Sequence, residues 1–98
     1  MFDQPLEVDL ASLIDIAVTL ESEAKMLNAS ADVLYQQRQN LLGSTSGQAS
    51  EAALADMLRI IDLTQVRAGK LTRNAKVMRE LVRLYNDADL AGARAFGA

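Results

Sequence analysis

Leucine recurs at every seventh position in the first half of the chain, at Leu13, Leu20, Leu27, Leu34 and Leu41. A seven-residue apolar repeat of that length is compatible with little other than a helix packed along one seam. Three residues before each leucine runs a second column, Leu10, Ala17, Ala24, Ala31 and Arg38. Together they form an a/d seam with mostly alanine at a and leucine at d, so a neighbouring helix can approach closely along the alanine side. Arg38 closes that column with a stem long enough to lie along apolar surface while its charge reaches outward. Asp9 is the expected N-cap, and the helix is expected over about 9–41.

Gly43 to Gly47 reads Gly-Ser-Thr-Ser-Gly, a cluster of turn formers with a C-cap candidate at Gly43, so the turn is placed at about 42–47. Thr45 followed by Gln48 matches a capping box, with Ser46 and Ser50 as alternative caps, and the second helix is expected over about 48–90. It carries its own seam at three- and four-residue spacing: Leu54, Met57, Ile61, Thr64, Ala68, Leu71, Ala75, Met78, Val82 and Tyr85. Gly69 lies beside this seam and costs about 1 kcal/mol relative to alanine, which points to a close helix crossing or a slight kink there.

So short a turn makes the helices antiparallel neighbours. Charge agrees: residues 1–24 hold six acids and no lysine or arginine, and they come to face the stretch containing Arg59, Arg67, Lys70, Arg73, Lys76, Arg79 and Arg83. Exposed pairs contribute only about 0–1 kcal/mol each, so the pattern selects orientation more than it supplies stability. Ninety-eight residues fit one domain, 1–98, and a half-apolar composition with only four aromatics and one proline favours long helices over a sandwich or barrel. The fold expected is all-α, an antiparallel helix-turn-helix hairpin.

Two helices bury one seam each, yet apolar residues remain outside both. Those expected to meet a partner are Ile16, Met26 and Val33 on the first helix and Leu58, Ile60, Leu63, Leu81 and Leu84 on the second. A hairpin with apolar residues on more than one side belongs in a bundle, so a four-helix bundle on dimerisation is expected.

Catalysis is not expected. The chain has no cysteine and no histidine, which removes disulfides, thiolate metal sites, imidazole bases and nucleophile pairs built on them. Asp87 with Asp89, and Glu21 with Glu23, are spaced by two and point to different sides of a helix, so neither pair converges on one atom or ion. No cofactor or metal is expected. The basic stretch of the second helix lacks aromatics that would stack on bases, and the acidic first helix is set to neutralise it, so no nucleic-acid partner is expected. The acidic start is unlike a basic signal peptide, and Asp15 interrupts the longest apolar stretch well short of the ~20 residues needed to span a bilayer.

Taken as a layout, the chain resembles the Trp-X-Gly helical-hairpin family exported by type VII secretion systems of actinobacteria and firmicutes. The resemblance rests on a length near one hundred residues, a turn near the middle, and Tyr85-Asn86-Asp87-Ala88-Asp89, which matches the family's Tyr-X-X-X-Asp/Glu export signal. At the turn the chain has Leu41-Leu42-Gly43 in place of Trp-X-Gly, and it holds no tryptophan. It thus looks like a Leu-X-Gly variant, or like the small partner in heterodimers, and the stretch around Tyr85 is similar to the mycobacterial secreted substrates of the EspC-like type. The resemblance implies export as a folded helical dimer without a cleaved signal peptide, with Tyr85 and Asp89 as the signal, Leu41 and Gly43 as the turn motif, and the tail 91–98 taking part in recognition by the secretion ATPase. The implied partner is an identical chain, a hairpin sibling or the helical N-terminal domain of a larger effector, a heteromeric partner being favoured. The competing expectation is a cytosolic helical adaptor or chaperone for an export or assembly component.

Overall fold

The computed structural model describes residues 9–43 and 48–95, the last six and residues 48 and 49 by their backbone alone. Two α-helices account for almost all of it: α1, Leu10–Leu42, and α2, Gln48–Ala95. They pack against each other as an antiparallel hairpin, so the chain is all-α as its periodicity predicts. Thr45, Ser46 and Gly47, and Phe96 in the tail, lie outside the described residues.

The start of α1 follows from its cap. Asp9 sits in an extended conformation (φ −83°, ψ 98°), and its carboxylate accepts from the Ser12 backbone N–H at 3.2 Å and from the Ser12 hydroxyl at 2.8 Å. A first-turn N–H that no helical carbonyl can serve is thereby satisfied. These hydrogen bonds, the Ser12 hydroxyl foremost, hold the Asp9 carboxyl below its ordinary range. At the other end, Gly43 caps α1 in the right-handed region (φ −86°), and its N–H donates to the Leu41 carbonyl. The left-handed freedom that makes glycine a common C-cap is not used here.

α2 continues to Ala95, past the expected end at about 90. Residues 91–95 read Ala-Gly-Ala-Arg-Ala, and alanine and arginine are strong enough helix formers to carry the helix through one glycine. Gly69 causes no break either. A β-carbon there would meet only the Arg73 guanidinium, at 3.6 Å, so a close helix crossing does not account for the glycine.

The seam is built on small side chains. Ala17, Ala24 and Ala31 of α1, and Ile61, Ala68 and Ala75 of α2, are the buried residues, each set spaced by seven. The leucine column flanks them: Leu13, Leu20, Leu27 and Leu34 are half-buried, as are Met57, Thr64, Leu71 and Met78 of α2. Alanine at the contact line lets the two backbones come close, and the larger side chains then splay to either edge. At the ends the packing runs out, leaving Leu41 and Tyr85 exposed. The Thr64 and Thr72 hydroxyls donate to the Ile60 and Ala68 carbonyls one turn back, at 2.7 and 3.0 Å, so the seam gains no unsatisfied polar group.

Two contacts set the register. Arg38 Nε, near the end of α1, donates to the Leu54 carbonyl, near the start of α2, at 3.0 Å. Glu21, near the start of α1, pairs with Arg79 in the C-terminal half of α2. Because α2 has 48 residues and α1 has 33, the surplus of α2 projects beyond Leu10 at the open end of the hairpin. The molecule is 75 Å long and 15 Å thick, a single layer of helix.

Candidate functional site: an uncovered apolar face

A single layer has two broad faces, and the seam position of each residue says which it joins. On α1, Glu21 and Asn28 fall to one side of the alanine column, while Leu20, Leu27, Glu23 and Ser30 fall to the other. The same division holds on α2, where Thr72 and Arg79 lie to one side and Arg67, Leu71 and Met78 to the other.

The first side is mixed. Arg79 joins Glu21 across the hairpin, and the groove beside this pair is lined by Val18, Ser22, Ala24, Lys25, Asn28 and Thr72. The second side carries more of the exposed apolar side chains. A groove of about 420 Å³ runs between the helices there, floored by Met26, Leu27 and Leu71 and rimmed by Glu23 and Ser30 of α1 and Arg67 of α2.

Of the eight residues expected to meet a partner, seven fall on this second side or its outer edge: Ile16, Met26, Val33, Ile60, Leu63, Leu81 and Leu84. Six of those seven are exposed, from 44% for Ile16 to 67% for Met26. Leu81 is half-buried instead, forming a shallow hollow with Leu84, Tyr85 and Ala88. Leu58 is exposed but lies on the first side, one helical turn before Asp62, and so does not belong to the same surface. Sequence reasoning passed over Tyr35 and Leu42, both of which are exposed on that first side and add to a small apolar patch near the turn. A signal existed, since both share the heptad position of Ile14.

The expected neutralisation of the basic stretch is realised at one residue. Among the described residues, Arg79 alone makes an ion pair between the helices. Arg59 pairs with Asp56 on its own helix, and Arg83 with Glu80 and Asp87. Hydrogen bonding from Arg79 keeps the Glu21 carboxyl below its ordinary range, and that from Arg83 does the same for Glu80. Arg67 at the groove rim and Lys70, Arg73 and Lys76 are exposed, and among the described residues they form no ion pair.

Tyr85 and Asp89 sit one turn apart on the same side of α2, both exposed. Tyr85 is not the last packed residue of the seam, as its spacing predicts; Val82 is the last half-buried side chain among the described residues. The pair therefore stands on the part of α2 that outruns α1. Leu41 and Gly43 are both exposed at the turn end, the length of the hairpin away.

Among the described residues no group of acids could hold a metal ion, and no helix is long and apolar enough to cross a membrane. Fold and surface define a class: an all-helical hairpin with apolar side chains exposed on both broad faces, more of them on the face that holds the Met26, Leu27 and Leu71 groove. In comparisons with protein-family models, curated proteins and solved structures, the chain matches none.

Proposed function

We propose that this chain is a non-enzymatic pairing subunit whose apolar face is covered by another helical protein, giving a four-helix bundle. The observation that carries the reading is the poverty of the internal core. Among the described residues, five of the six that are buried are alanine, while Met26, Val33, Ile60, Leu63 and Leu84 stand 49–67% exposed on or beside one face, and Ile14, Val18, Tyr35, Leu42 and Leu58 are exposed on the other. So much exposed apolar surface marks an interaction site, and the two described helices leave it uncovered.

Within that reading we propose a narrower role, as a type VII secretion substrate or targeting partner exported as a helical dimer. Its support is the layout of the chain together with the exposed Tyr85 and Asp89 on the projecting end of α2, where a receptor reaches them without opening the bundle. The partner is then a homologous hairpin or the helical N-terminal domain of a larger effector, and the secretion ATPase is the receptor.

Co-expression with the product of the adjacent gene, followed by size exclusion, tests the pairing. The double change Ile60→Lys with Leu63→Glu is expected to leave helix content intact and to abolish co-elution. A parent that runs as a compact monomer at tens of micromolar, alone and with that product, removes the reading. Export is tested separately, in a host with a working type VII system. Tyr85→Ala and Asp89→Ala are each expected to retain partner binding and to lose appearance outside the cell. Undiminished export of both variants would leave the adaptor role in its place.

A further inference from the structure

The geometry points to a second docking surface, along the outer edge of α2, that takes one further helix of acidic, amphipathic character. This edge is separate from the apolar groove between the helices, so the inference stands apart from the pairing proposed above.

Periodicity marks the surface. Leu63, Val66, Lys70, Arg73 and Val77 follow one another at spacings of three and four, and Glu80 and Leu84 continue the series. Residues so spaced form one ridge along a helix. The ridge lies opposite the buried column Ile61, Ala68 and Ala75, so it faces away from α1. Every member is exposed, and the four apolar ones stand 49–62% exposed. The hairpin itself has no use for a second heptad series on the far side of α2, and such a series is what a further helix packs against. From Leu63 to Leu84 it spans roughly 32 Å at about 1.5 Å per residue, room for a partner of about six turns.

Charge selects the occupant. Between Asp62 and Glu80, α2 has no acid, so Lys70 and Arg73 have no carboxylate three or four residues away on their own helix. Among the described residues neither forms an ion pair, and Glu21 of α1 is taken by Arg79. Glu80, by contrast, is held by Arg83. The ridge therefore has apolar residues toward both ends and an uncompensated positive centre. A helix with apolar residues facing Leu63, Val66, Val77 and Leu84, and carboxylates facing Lys70 and Arg73, complements it, and the charged pairs inside the seam fix its register.

The order of residues favours a protein helix over a lipid surface. A helix lying on anionic headgroups buries a continuous apolar stripe and keeps its bases on the polar face. Here Lys70 and Arg73 interrupt the stripe between Val66 and Val77, where a bilayer would bury them deepest.

Fluorescence anisotropy with the full chain and two synthetic helical peptides tests this. One peptide has leucines placed to face Leu63, Val66, Val77 and Leu84 and glutamates placed to face Lys70 and Arg73; the other has lysines for the glutamates. The parent is expected to bind the glutamate peptide about tenfold more tightly than the lysine peptide. Lys70→Glu/Arg73→Glu is expected to reverse that preference with helix content unchanged. Val66→Ser/Val77→Ser is expected to weaken binding of the glutamate peptide, whereas Met26→Lys, in the apolar groove, leaves it as it was. A parent that binds neither peptide, or a preference that survives the charge reversal, overturns the proposal. Loss of binding in Met26→Lys alone overturns it too, by placing the peptide on the broad face. Binding to phosphatidylglycerol vesicles without discrimination between the peptides overturns it in favour of a lipid surface. None of these outcomes depends on whether the broad face pairs with another hairpin, so the two readings fail separately.

Discussion

Arg79 grips Glu21 from the opposite helix with two parallel hydrogen bonds, Nε to one carboxylate oxygen at 3.0 Å and Nη2 to the other at 2.6 Å. A bidentate guanidinium fixes both distance and rotation, so this pair locks the axial register that the alanine column leaves loosely specified. Both side chains are nearly half exposed, and the pair serves register more than stability.

A pH dependence follows from the pair. Arg79 lowers the Glu21 carboxyl in the folded state below its unfolded value, so the bridge contributes fully above the unfolded carboxylate range and is lost as the pH falls through the folded value. Asp9 and Glu80, lowered by Ser12 and Arg83, act in the same direction. Thermal melting followed by circular dichroism is expected to show a lower midpoint at pH 3 than at pH 7. Glu21→Gln should lower the midpoint at pH 7 and narrow that gap, and an unchanged gap would show that Glu21 has no share in it.

Gly69→Ala is expected to stabilise the hairpin by about 1 kcal/mol, the usual advantage of alanine inside a helix. Space permits it, because the added methyl group meets only the flexible end of Arg73. Urea denaturation measures the gain, and a loss of stability would mean that the helices approach too closely at Gly69 to admit a methyl group.

Ala24→Leu probes the close approach of the helices. Ala24 is 4% exposed in the middle of the contact line, and three added carbons there force the backbones apart. Overpacking of this kind costs about 1–3 kcal/mol. The same change at Ala29, on the exposed outer side, is expected to cost less than about 0.5 kcal/mol. Equal melting of the two variants would contradict an alanine-lined seam.

Arg38→Ala removes the bond from its Nε to the Leu54 carbonyl, which ties the end of α1 to the first turns of α2. A hydrogen bond of this type is worth about 0.5–1.5 kcal/mol. Faster amide exchange is expected near residues 50–58 with little change around Ala75. Uniform acceleration along the chain would instead show that Arg38 supports the fold as a whole.

By itself the sequence determined the helices, their order and their packing columns, because helical periodicity is a local property: Leu13 to Leu41 and Leu54 to Val82 mark their faces wherever the helices end up. Asp9 likewise announced its cap, since capping needs only a carboxylate three residues before an unserved N–H. The far end of α2 was not legible, because a run of alanine and glycine reads equally well as helix or loose tail until the backbone is built. Tertiary structure alone decided which column is buried. The leucines carry the louder signal, but alanine lies on the contact line because close-packed backbones leave no room there for a longer side chain. It also decided that Arg79, among seven candidate bases, meets Glu21, since that choice depends on an axial register of a few ångströms between residues 58 positions apart. The apolar groove arises the same way: composition supplies the apolar residues, but only the rotation of each helix about its axis puts Met26, Leu27 and Leu71 beside one groove.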